Sequence, residues 1–287
     1  MRRILVLRGG ALGDLIVTLP ALALLRARWP EARIEIAGNA TAAQLARTRG
    51  LVDAVHSQHE ARWSALFGAP PLPKEFATWL AAFDLIVSWW PDPDGALRRH
   101  FPQHAGQTFV CGEALPQQAP AAAHYCATLQ PSGVGTENFV YRLAADAPRR
   151  HGLVIHPGSG SPRKNWPRER WLALIAELPA PVTLILGEAE LERGAWPVPG
   201  SVTVLRQPPL ETLVALLAVC RLFLGHDSGV SHLAAACGAP CVLLFGPTDP
   251  AVWAPPAPRV NVIRRGPTLD CIAVSDVLAA IQGSAQL

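Results

Sequence analysis

Four short stretches of this sequence carry side chains with chemistry to offer. The first is Gly9-Gly10-Ala11-Leu12-Gly13-Asp14, a glycine-bearing turn between an apolar run and a helical pattern. A turn of this kind ordinarily cradles a dinucleotide phosphate. Here the spacing departs from GxGxxG, and the next apolar run ends in Gly38-Asn39 with no acid for a ribose hydroxyl. Asp14 also puts negative charge where a pyrophosphate would dock. On spacing its carboxylate reads first as a helix cap that accepts backbone N–H bonds, and such a carboxylate could also serve as a general base; the two roles are compatible.

The second stretch is His156-Pro157-Gly158-Ser159-Gly160-Ser161-Pro162-Arg163-Lys164-Asn165-Trp166-Pro167. Ser159, Gly160 and Ser161 offer hydroxyl and amide donors in a turn that permits close approach, a fit for phosphate oxygens. Lys164 is one of only two lysines in the chain, against 23 arginines. A compact ammonium suits a diphosphate as a point charge; a solvated loop lysine is the plainer alternative. In the third stretch, Gly225-His226-Asp227-Ser228-Gly229-Val230-Ser231-His232, an apolar run ends and a small-residue helix begins. Its first amides and dipole would point at an anion. Neighbours in extended chain face opposite sides, so His226, Asp227 and Ser228 are not expected to form a triad. His226 and His232 lack zinc spacing, and His232 reads equally as a core histidine or a ligand contact.

The fourth, Gly187-Glu188-Ala189-Glu190-Leu191-Glu192, places carboxylates where ribose hydroxyls could be held, though a charged surface turn is commoner. Asp92-Pro93-Asp94 spells DxD, a pair able to hold a divalent metal, but a proline turn is expected and no metal site is assigned. Trp89 and Trp90 beside it are suited to stack on a sugar or to fill a core.

The elements that must position these residues alternate, strand then helix, as in parallel α/β units. The first half predicts strands at Arg3 to Arg8, Arg33 to Ala37 and Asp84 to Ser88, with helices at Asp14 to Arg28 and Thr41 to Arg49. The second predicts strands at Leu153 to His156, Val182 to Leu186, Val202 to Leu205, Leu222 to Gly225 and Cys241 to Phe245. Helices at Arg168 to Leu178, Leu210 to Val219 and Gly229 to Cys237 separate them. The aperiodic stretch from Arg142 to Arg150 marks the boundary, giving domains 1–147 and 148–266. Residues 267–287 supply a final helix, Val274 to Gln282, expected to pack back across the junction. Ala69 to Pro73 and Pro116 to Pro131 read as Pro-rich loops.

With 287 residues, half of them apolar, the chain can bury two cores. Its 25 basic and 22 acidic residues balance to +3 with no run of like charge, which does not suggest nucleic-acid binding. Arg8 and Asp14 interrupt any signal-like apolar core, and Arg221 breaks the most apolar later stretch well short of a bilayer span. Six cysteines without a CxxC pair read as reduced thiols.

Together GGALGD, HPGSGSPRKNWP, GHDSGVSH and FGPTDP (Phe245 to Pro250) resemble glycosyltransferase family 9, which includes the ADP-heptose:lipopolysaccharide heptosyltransferases. The motifs keep their order from residue 1 to about residue 265, and the match is weakest from about Val55 to Val140. The resemblance implies an α/β GT-B fold: two Rossmann-like domains with parallel sheets facing across a cleft. It implies an inverting, metal-independent transfer of a sugar, heptose from ADP-heptose first, to a lipopolysaccharide-core or other glycan or glycolipid acceptor. Carried over by position, Asp14 is the base, with Gly10, Leu12 and Gly13 on the acceptor-side loop. Lys164 is the diphosphate contact, and Asp227, Ser228, Gly229 and His232 form the donor loop. Ser159, Gly160 and Ser161 match less tightly, and either Glu190 or Glu192 matches the ribose-binding acid.

Such a displacement uses one base for the acceptor proton, while a lysine and a helix N-terminus stabilise the leaving diphosphate. The resemblance implies no cofactor beyond the nucleotide-sugar co-substrate. The interrupted apolar segments and the cysteines without paired spacing fit a cytoplasmic location extending to the inner membrane face with at most peripheral membrane contact, and a monomer is expected. The chain looks short for the family in its first half. That motivates two alternatives: an inactive sugar-nucleotide-binding module, or a transferase with a non-lipopolysaccharide acceptor. A nucleotide-dependent oxidoreductase or epimerase is a third reading, from the glycine turns.

Overall fold

The computed structural model describes residues 1–68, 71–102, 104–135, 139–148, 151–179 and 181–284. Ala69 and Pro70 of the expected loop at 69–73, and residues 149–150 of the expected linker, lie outside them. The chain divides into two compact units, Met1–Phe139 and Val140–Leu287.

The first unit runs β1 (Arg3–Arg8), α1 (Leu12–Arg28), β2 (Arg33–Gly38), α2 (Ala40–Thr48), β3 (Ala54–Ser57), α3 (Lys74–Ala81), β4 (Leu85–Ser88), α4 (Ala96–His100), β5 (Thr108–Cys111) and α5 (Ala121–Ala127). Its strands form one sheet in the order β3-β2-β1-β4-β5, with every pairing parallel. Ile4 to Leu7 are buried without a break, as a strand covered on both faces requires. Parallel pairing brings the segments after β1, β3, β4 and β5 to a single carboxyl edge, the edge where open α/β sheets bind ligands. Trp63, Phe76, Phe83 and Trp90 fill the core beside Leu5 and Leu7.

The second unit runs β6 (His151–His156), α6 (Arg168–Glu177), β7 (Val182–Leu186), α7 (Glu188–Glu192), β8 (Val202–Arg206), α8 (Leu210–Val219), β9 (Cys220–His226), α9 (Gly229–Ala236), β10 (Cys241–Leu244), α10 (Pro250–Trp253), β11 (Val260–Ile263) and α11 (Val274–Ser284). The sheet order is β11-β10-β9-β6-β7-β8, again all parallel. β6 lies against β9 with His156 level with Gly225, so the loops after these two strands open side by side at the point where strand order reverses.

The pattern does not disclose β3, β5 or β11. Each is a four-residue edge strand only partly buried, so its alternation is too short to stand out. The loop expected from Pro116 to Pro131 instead contains α5, which packs against α1. Prolines mark the ends of that helix rather than breaking it: Pro120 precedes its first turn, where a missing N–H costs nothing. The described residues from Val140 onward belong to the second unit; the Leu143 N–H donates to the Ala236 carbonyl at 2.9 Å. α11 places Val277 and Ile281 in the second core and packs on α6, β10 and β11. No helix of the described residues is long and apolar enough to cross a membrane.

Candidate active site

In the second unit, Lys164 and the α9 N-terminus meet. The Lys164 Nζ donates to Asp227 Oδ2 at 3.1 Å, and His232 Nε2 stands 3.9 Å from Oδ1. Burial would raise the Asp227 carboxyl; His232 and Lys164 outweigh it and hold the group below the ordinary carboxylate range. Ser228 is the N-cap: its Oγ accepts the Ser231 N–H at 3.3 Å. Helix geometry leaves the earlier amides, Gly229 and Val230, without intrahelical acceptors, so they remain suited to an anion. Lys164 has three N–H donors, and the Asp227 bond uses one.

His156 connects this loop to α7. Its Nδ1 lies 3.5 Å from Ser228 Oγ, and its Nε2 lies 3.6 Å from Glu190 Oε2. Glu190 also accepts the Gly187 N–H at 2.9 Å, with Arg193 at 3.9 Å. Burial would raise its carboxyl too, but His156, the Gly187 amide and Arg193 hold it low. A Cβ on Gly158 would run into the Glu190 carboxylate, so close approach requires glycine there. Beneath, burial reinforced by His156 pushes His226 down to about 3, which leaves it neutral. Its Nε2 accepts the Trp166 N–H at 2.9 Å, and its ring meets Trp171 edge-on.

In the first unit, Asp14 is the third residue of α1. Its Oδ2 accepts the Ala11 N–H at 2.8 Å, and its Oδ1 accepts from Arg8 Nη2 at 3.0 Å. Arg8 is buried and also donates to the Tyr125 hydroxyl at 3.0 Å and to Thr18 Oγ1 at 3.0 Å, with Tyr125 stacked beneath its guanidinium. Gly10 has φ +103°, and a Cβ on it would collide with the Asp14 carboxylate. The turn therefore depends on glycine twice over, for its dihedral and for its space. Leu12 and Gly13 open the helix between these two residues.

The loops of the second unit are matched by a known family. The profile of glycosyltransferase family 9 (heptosyltransferase) fits residues 120–276. The chain belongs to glycosyltransferase family 9. The matched region holds the whole Lys164–Asp227–Glu190 constellation, whereas the Asp14 turn precedes it.

This family 9 glycosyltransferase is 24% identical to lipopolysaccharide heptosyltransferase 1 of Salmonella typhimurium over 87% of this chain and 90% of that one. Its fold matches the family 9 glycosyltransferase of Veillonella parvula, TM-score 0.79 at 20% identity, covering 99% of this chain and 97% of that one. It also matches an Escherichia coli heptosyltransferase solved with ADP-2-deoxy-2-fluoro heptose, TM-score 0.73 at 22% identity, covering 99% and 100%. The architecture is accordingly GT-B, with two parallel α/β units.

The expected residues of the Ser159 to Ser161 turn differ in how their own loop engages them. Ser159 is buried, its hydroxyl held between Asn165 Oδ1 (2.7 Å) and the Ser161 carbonyl (2.8 Å), so it closes the loop. The exposed Gly160 has open space where a Cβ would stand; packing demands glycine at Gly158 instead. The Ser161 N–H turns inward to Ser159 Oγ at 3.3 Å. Glu190 and Glu192 separate cleanly: the first is buried under the loop and the second is exposed.

Asp92 accepts the Leu97 and Arg98 amides, and Asp94 accepts that of Ala96, so the DxD pair caps α4. Trp89 is core, and its Nε1 donates to Thr128 Oγ1 at 3.2 Å. Sequence reasoning missed Arg8, Tyr125 and His156. Arg8 and His156 are each the last residue of a strand before a glycine turn, a signal visible in advance; Tyr125 lies on the undisclosed helix.

Proposed function

We propose that this glycosyltransferase moves a heptosyl group from ADP-heptose to a glycan of lipopolysaccharide type, inverting the anomeric centre without a metal. The observation that carries the reading is the Lys164–Asp227 pair at the N-terminus of α9. Lys164 and the first amides of α9 would take the diphosphate charge as the bond to the anomeric carbon breaks. The buried carboxylate of Asp227 holds the ammonium in place for that role. Glu190 would meet the ribose hydroxyls, with His156 setting its orientation.

Asp14 would accept the proton of the attacking hydroxyl, since it is partly exposed at a sheet's carboxyl edge with its charge balanced by Arg8. The supports for the sugar and acceptor are the relatives: lipopolysaccharide heptosyltransferases, and a neighbour solved with an ADP-heptose analogue. A cytoplasmic setting with at most peripheral membrane contact follows from the same reading.

Titration of the purified protein with ADP-, GDP-, UDP- and dTDP-sugars, followed by a transfer assay with NMR of the product's anomeric configuration, tests it. Preference for ADP-heptose and inversion are expected. Preference for another base, retention, or no transfer by a donor-saturated protein would overturn it.

A further inference from the structure

Beside the Asp14 turn, the first unit holds a cavity of about 520 Å³ lined by Gln58, His59, Ser64, Phe67, Trp90 and Pro91 among others. Two contacts tie it to that turn. Gln58 Oε1 accepts the Gly10 N–H at 3.2 Å, and the Trp90 ring stands 3.5 Å from where a Cβ on Gly9 would lie. Phe67 is 48% exposed, one of four large apolar side chains so placed among the described residues. Its ring lies 6.5 Å from that of Trp90, inclined at 32°. An exposed aromatic face bordered by a neutral amide, an imidazole and a hydroxyl suits a sugar, whose C–H face lies on the ring while its hydroxyls meet the polar groups.

The charge of the lining narrows the class. Among the described lining residues, Glu60 is the only one with a carboxylate or an Arg or Lys cation, and its oxygens are engaged by the Ser57 N–H at 2.7 Å and by Arg62 at 2.8 Å. Arg62 is held by Glu60 and by His56 Nδ1 at 2.9 Å, and lies over the Trp63 and Trp79 rings. Neither a lysine nor an arginine among these lining residues is offered to an acidic sugar, whose unpaired carboxylate would be costly to desolvate.

We propose that this cavity receives the acceptor, and that the ring it holds is an uncharged pyranose seated on Phe67. The proposal rests on the reading of Asp14 as the base. Methyl hexopyranosides and heptopyranosides, each paired with its uronic acid, are titrated into the wild-type protein, Phe67→Ala and Ser64→Arg. The wild type is expected to bind a neutral glycoside about tenfold more tightly than its acid. Phe67→Ala should lose about tenfold in that affinity with donor affinity and melting midpoint unchanged, and Ser64→Arg should shift the preference toward the acid.

Equal or tighter binding of the acids by the wild type, no binding of any neutral glycoside, or indifference to Phe67→Ala overturns the proposal. So does a Phe67→Ala protein that keeps its glycoside affinity and loses attachment to phospholipid vesicles, which would assign Phe67 to a membrane surface. Asp14→Asn separates the two readings: glycoside binding that persists beside undiminished turnover refutes the base and leaves the cavity standing.

Discussion

Both units place an aspartate where a parallel strand hands over to a helix, and they keep the two carboxylates in opposite conditions. Asp14 lies inside its helix as the third residue, with its side chain 35% exposed and a buried arginine on one oxygen. Asp227 precedes its N-cap, is 9% exposed, and is held between Lys164 and His232. Exposure decides what a carboxylate at such a junction can reach. The open one, charge-balanced from below, is accessible to a hydroxyl from solvent; the enclosed one is engaged by the cation beside it. The glycines follow the same division: Gly10 yields space to Asp14, and Gly158 yields space to Glu190.

The largest effect on turnover is expected at Asp14. Asp14→Asn should lower kcat by about 10²–10⁴, the usual contribution of general base catalysis, with donor affinity unchanged. Undiminished kcat in a steady-state assay would remove the base from the first unit. The equivalent Asp227→Asn should instead raise the donor KM, by freeing Lys164 from its fixed position.

A second contrast concerns stability. Glu35, buried on β2, pairs with Arg3 at 2.8 Å, Arg33 at 3.0 Å and His56 at 2.8 Å. Burial opposes its ionisation, but hydrogen bonds from His56, Arg3 and Arg33 prevail and bring the carboxyl from 4.5 down to about 2. A depressed carboxyl stabilises the fold above its unfolded value and loses that contribution as pH falls through the folded one. The stabilisation from Glu35 is on the order of 3 kcal/mol at neutral pH and fades between about pH 4.5 and 2. Denaturant melts of Glu35→Gln should show a loss of that order at pH 7, shrinking toward pH 3; a pH-independent difference would contradict it.

Lys164→Ala should weaken donor binding about tenfold to thirtyfold, the usual scale for one charge-assisted contact, and lower the melting midpoint because the buried Asp227 carboxylate loses its cation. Gly10→Ala should act in the other unit, displacing the Asp14 carboxylate. It should lower kcat about tenfold with the donor KM unchanged, and lower the melting midpoint slightly because of the +103° dihedral.

Much of the second unit was legible in the sequence. Its central strands are continuous apolar runs, and the loops that follow them carry Lys164, Asp227, Ser228 and Glu190. Local pattern cannot say which of two glutamates turns inward; burial under Gly158 decides for Glu190. Nor can it separate a hydroxyl that closes a loop, as Ser159 does, from one that faces outward. The first unit was less legible, because its edge strands are four residues long and α5 lies among prolines. Arg8 escaped notice for a simpler reason: a charged residue ending a buried strand reads as a terminus until its partners, Asp14 and Tyr125, are brought to it by the fold.

The division of labour between the units is tested most directly by calorimetric titration of ADP-heptose into the wild type, Asp14→Asn and Lys164→Ala, with turnover measured on the same samples. The account predicts wild-type affinity without turnover for Asp14→Asn and weakened affinity for Lys164→Ala. Donor affinity lost in Asp14→Asn and kept in Lys164→Ala would contradict it.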